Sequence, residues 1–73
     1  MPGEAIAEIM RQHRANAEIQ AACCRALSKK LRNQEELGID EAAVVSLVVV
    51  ALRDHPGNIQ TQGWGIQLLG QVA

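Results

Sequence analysis

Apolar residues recur at helical spacing through the first part of the chain and then run almost without a break through its middle. From Glu4 to His13, the residues Ala5, Ile6, Ile9 and Met10 fall on one side of a helix, with Glu4, Glu8 and Arg11 between them. Arg14-Ala15 is a short connection. Asn16 then offers an N-cap to a second helix with Glu18 in its first turn; this helix carries Ile19, Cys23, Ala26, Leu27 and Leu31 inward and ends near Leu31 or Arg32. Asn33 to Ile39 reads as a polar connection, in which Gly38 is available for a left-handed turn. The stretch from Glu41 to Leu52 is the most apolar part of the chain. Its valines, Val44, Val45, Val48, Val49 and Val50, would suit a strand, and a run this continuous has no face to decide by. Length and flanks favour helix: Asp40 as N-cap, Glu41 at the positive pole, Arg53 at the negative pole, and Pro56-Gly57 as the stop. A helix over 41–54, buried all round, is the expectation. Proline at 56 also disfavours helix at His55, and Asn58 caps a fourth helix that runs to the C-terminus.

The pattern repeats. His13 and His55 stand 42 positions apart (55 − 13), and at the same offset Arg11 meets Arg53, Asn16 meets Asn58, Gln20 meets Gln62 and Leu27 meets Leu69. Ile6 meets Val48, and Met10 meets Leu52. Only five of the 31 comparable pairs are identical, but four of those five lie between Arg11 and Gln20, around the turn and the following cap, where a helix pair is most constrained. A period of this length with two helices per unit is the signature of an α-solenoid.

The residues that carry the period also resemble a known family. Glu36-Leu37-Gly38-Ile39 through Leu52-Arg53-Asp54-His55-Pro56-Gly57-Asn58 is similar to an armadillo repeat. So are Asn16-x-x-Ile19-Gln20-x-x-Cys23-Cys24-Arg25-Ala26-Leu27 and Thr61-Gln62-x-x-Gly65-x-x-Leu68-Leu69-x-x-Val72-Ala73, which follow the pattern of the family's long last helix. The resemblance spans nearly the whole chain in two copies. It implies an all-α fold, a right-handed α-α superhelix of about four helices in two hairpins: unit one over residues 1–32, a connection over 33–39 and unit two over 40–73. That is fewer than two full repeats. It further implies a non-catalytic scaffold that binds protein or peptide along the second helix of each hairpin. In members that grip extended peptides, those helices carry a tryptophan and, four residues later, an asparagine. The matching positions here are Arg25 and Lys29 in the first unit and Gln67 and Gln71 in the second, so that ladder is absent. Arg25, Lys29 and Arg32 instead make a basic stripe at i, i+4, i+7, suited to an acidic peptide or to the negative end of their own helix.

Composition narrows the functional classes. Trp64 is the single aromatic residue, so the core must come from Ala, Val, Ile and Leu. Set between Gly63 and Gly65, it stands either as an interface anchor, as a plug beside the preceding helix, or facing a further repeat. The net charge of −1 argues against a general binder of nucleic acid, although six of the seven basic residues lie in 1–32 and the basic stripe would serve one. The run Ala42–Leu52 falls short of the roughly 20 apolar residues that cross a bilayer, and no signal peptide is visible at the N-terminus. Cys23 and Cys24, being neighbours on a helix, are unsuited to bridging each other; they read as buried thiols, Cys23 toward the core and Cys24 nearer a contact between units, and they fit a reducing, intracellular (cytoplasmic) setting. His13 and His55, at equivalent helix ends, are read as partners of the last helical carbonyls, and Ser46 as bonding back to the preceding turn. No nucleophile motif, phosphate loop or metal-ligand spacing stands out, so neither catalysis nor a cofactor is expected. Partners are expected to be a protein or an acidic peptide, neighbouring repeats, or a second copy in a self-associating module. Glu4, Glu8 and Arg11 break the surface of the first helix, so unit one is expected to be the more exposed of the two.

Overall fold

The computed structural model describes residues 2–72. Four helices appear among them and no strand: α1 (Gly3–Gln12), α2 (Ala17–Arg32), α3 (Glu41–Asp54) and α4 (Ile59–Val72). The valine-rich stretch is therefore helical, as its capping residues and proline stop indicate. None of these helices is long and apolar enough to cross a membrane.

The two hairpin turns are built alike, atom for atom, at the 42-residue offset. Asn16 Oδ1 accepts from the Ile19 amide at 3.1 Å, and Asn58 Oδ1 accepts from the Thr61 amide at 2.8 Å. The amides of Asn16 and Asn58 donate to the carbonyls of His13 and His55. The Gln20 side-chain amide then donates to the carbonyls of both Met10 and His13, each at 2.9 Å, and Gln62 donates to Leu52 and His55, each at 3.0 Å. One glutamine thus gives the Met10 or Leu52 carbonyl a donor and the histidine carbonyl a second one, where the first helix of each hairpin ends. Asp40 holds the N-cap position of α3 in extended backbone, but its carboxylate makes no capping hydrogen bond; its main-chain carbonyl receives the Val44 amide. The end of α2 closes in a left-handed turn. Gln34, at φ 60°, follows the cap Asn33; its amide donates to Leu31 and that of Glu35 to Lys30. Gly38, at φ 77°, supplies a second left-handed residue further along the connection.

The core gathers on α2. This helix packs most broadly against α4 and also against α1, α3 touches all three others, and among the described residues α1 and α4 do not meet. Leu27, Cys24, Val44, Val48 and Leu68 are fully buried, with Ile6 and Met10 beside them. Two expectations fail here. α3 is not buried all round: Val44, Val48 and Ala51 form one covered stripe, while Val45 and Ser46 are exposed. Three short helices cannot enclose a fourth. Nor is unit one the more exposed, since α1 buries Gly3, Ile6, Ala7 and Met10 and α2 buries six residues, against three in each of α3 and α4. The cause is the connection. It folds back so that Leu37 is buried against the start of α1, at such close range that any side chain on Gly3 would run into the Leu37 carbonyl. α4 covers α2 from the other side.

Candidate functional site

The seam between α2 and α4 is polar at each end and apolar between. Near the start of the helices, the buried Thr61 hydroxyl donates to the Ala17 carbonyl at 3.0 Å. Near their ends the buried Ser28 is held three ways. Its hydroxyl donates to Gln71 Oε1, receives Gln67 Nε2 at 3.2 Å, and its carbonyl receives Gln71 Nε2 at 3.3 Å. Between these points lie Leu68 and Cys24, both fully buried. Among the described residues, no buried side-chain nitrogen or oxygen is left without a partner, so the seam carries no desolvated polar group to destabilise it.

The six candidate residues do not behave as one groove. Arg25, Lys29 and Arg32 are exposed along α2, as their spacing requires. Gln67 and Gln71 lie at the surface but direct their amides onto Ser28, which makes them braces of the seam rather than free contacts. Trp64 is half-buried against the core, with the Arg25 guanidinium 5.6 Å from its ring centroid. That distance is within the range of a cation–π contact. Trp64 therefore plugs the space between the two second helices, and the Arg25 guanidinium lies over its ring. Beside this pair a cavity of about 240 Å³ opens to the surface, walled by Glu18, Ala22 and Arg25 of α2 and by Asn58, Gln60 and Trp64 on the α4 side. The cavity thus offers a side chain one aromatic wall, one cation and one carboxylate, that of Glu18, around a small alanine floor.

A second cluster ties the two turns together and has no sequence signal beyond the repeat. Arg14 Nε pairs with Asp54 Oδ2 at 2.7 Å, and His55 Nε2 lies 2.8 Å from the Arg14 carbonyl. A carbonyl only accepts, so His55 carries its proton on Nε2. The hydrogen bond and charge of Asp54 raise the Arg14 pKa, and the hydrogen bond from Arg14 holds the Asp54 carboxyl below its ordinary range. His55 thus spends its ring on the other turn instead of on the carbonyls of its own helix, which corrects the expectation for it. His13, its counterpart, is exposed. Ser46 is exposed as well.

Both thiols are free and buried, including Cys24, which is fully enclosed. Burial raises the pKa of Cys23 and pushes that of Cys24 up to about 11, helped by its neighbour. Neither is a thiolate at neutral pH, so neither is a nucleophile there.

Compared with family models, curated proteins and solved structures, the chain matches none.

Proposed function

We propose that the chain is an armadillo-like α-solenoid module, a non-catalytic scaffold that binds a protein or peptide partner along the outer surface of its second helices, α2 and α4. The observation that carries this reading is the open cavity between those helices, with Trp64 as one wall and Arg25 laid over its ring. The identically bonded turns, 42 residues apart, and the broad packing of α2 on α4 support the solenoid reading, because stacked second helices are how such modules build a continuous binding surface. The exposed Lys29 and Arg32 extend the positive surface from the cavity toward the end of α2. A partner segment that sets an apolar or aromatic side chain against Trp64 and an acidic one against Arg25 and Lys29 fits this chemistry. Two reduced, buried thiols suit an intracellular setting.

Titrating the isotopically labelled chain with short extended peptides, acidic and neutral, tests the reading. Acidic peptides are expected to shift the amides of residues 18–29 and 58–64 and the Trp64 indole, and Arg25→Glu is expected to abolish the shifts. Peptides that leave these signals unmoved at millimolar concentration, or that move them equally in the Arg25→Glu chain, overturn it.

A further inference from the structure

The second unit exposes the face that its counterpart in the first unit buries. On α2, Ala17, Ala21, Cys24 and Ser28 form one stripe at i, i+4, i+7 and i+11, and α4 lies upon it, through Thr61 at one end and Gln67 and Gln71 at the other. Moved on by 42 residues, that stripe becomes Ile59, Gly63, Ile66 and Gly70 of α4. Nothing covers it. Ile59 is 84% exposed and Ile66 61%, and the two glycines stand where an added Cβ would meet open space. Val45 of α3 is exposed as well, whereas its counterpart Gly3 is buried.

The chain itself has no use for these glycines. Neither has a positive φ and neither is pressed by a neighbour, yet each weakens the helix it sits in. Glycine at such a place allows a second backbone to come close. The whole of α4 is also without a charged residue, although one side of it faces water.

We propose that this face is a self-association surface, on which two copies of the chain pair through antiparallel packing of α4 on α4. The order of residues is self-complementary under a twofold axis between Trp64 and Gly65. Ile59 then lies opposite the second copy's Gly70, and Ile66 opposite the second copy's Gly63, so every isoleucine knob meets a glycine hole on both sides of the axis. That reciprocity is what an isologous interface requires. Head-to-tail stacking would use the same open face but offers it a poorer partner. The residues that seat α4 on α2 include Thr61, Trp64, Leu68 and Gln71, and their counterparts on α2 are Ile19, Ala22, Ala26 and Lys29. Such stacking would set Ala22 and Ala26 where Trp64 and Leu68 lie in the packed pair, and so would bury much less apolar surface. The four residues of this face are distinct from the basic stripe and from the lining of the Trp64 cavity.

Sedimentation equilibrium on the full chain over a wide concentration range tests the proposal. A monomer–dimer equilibrium is expected. Ile66→Lys, at an exposed position, is expected to weaken association at least tenfold while leaving the helical circular dichroism spectrum unchanged. The Gly63→Ala/Gly70→Ala double variant is expected to melt higher than the wild type in dilute solution and yet to associate at least tenfold more weakly, because the methyls favour the helix but fill the holes. A chain monomeric up to millimolar concentration, association indifferent to both variants, or growth beyond the dimer into open oligomers overturns the twofold pair.

Discussion

The residue with the most demanding role is Gln20. It is buried, and its side-chain amide is committed to two carbonyls at once, whereas Gln62 does the same work half-exposed. Truncation at 20 strands the buried Met10 carbonyl, while that of His13 keeps the Asn16 amide; at 62 solvent can replace the lost donor. Gln20→Ala is therefore expected to destabilise the fold by about 2–3 kcal/mol and Gln62→Ala by about 1 kcal/mol, read as shifts in urea midpoint at constant slope. Cys24 makes a second prediction at this scale. Its thiol ionises near 9 when free and near 11 in the fold. A group whose folded pKa is raised contributes stability that is complete below the unfolded value and is lost as pH rises through the folded one. Stability is expected to fall from about pH 9 toward 11, and Cys24→Ser is expected to flatten that fall. At neutral pH, alkylation of either thiol is expected to proceed no faster than the fold opens.

At the scale of elements, the ends of the helices decide how the chain is routed. The hairpin turns close with an asparagine cap and a glutamine that reaches back to two carbonyls, which is why residues from Arg11 to Gln20 resemble those from Arg53 to Gln62 more than the helices around them do. The connection after α2 closes differently, with a non-glycine residue in left-handed backbone at Gln34. A side chain there is strained, and nothing else in the turn demands it. Gln34→Gly is expected to raise stability by about 0.5–1 kcal/mol, measured by thermal or urea unfolding. This turn matters beyond its own strain, because it aims Leu37 onto the first residues of α1 and so completes the cover of unit one.

For the molecule as a whole, 73 residues and one aromatic side chain leave a small core. It is centred on α2 and not on the valine-rich α3. α2 packs broadly on both α4 and α1 and buries six residues, while α3 buries three. The consequence is asymmetry between two units that are built on one plan. The first is covered by the connection and by the second, and the second keeps an apolar, uncharged face in water. The Trp64 cavity is lined by other residues than Ile59, Gly63, Ile66 and Gly70, so partner binding and self-association would use different residues of the same fold.

The sequence by itself determined the helices and the turns. Local chemistry decides those: Asn16 and Asn58 as caps, Pro56 as a stop, and a repeated glutamine spaced to reach back over its turn. It also determined that Arg25, Lys29 and Arg32 share a face, since helical spacing alone places them there. Only the tertiary structure decided which apolar residues are covered, because burial depends on how many neighbours an element has. The hydropathy of α3 says nothing of that number, and the polar composition of residues 33–39 hid the return of Leu37 to α1. The same holds for the site. That Gln67 and Gln71 brace Ser28, that Arg25 lies over Trp64, and that Arg14 and Asp54 join the two turns follow from one helix pair resting on another, 40 or so residues away along the chain.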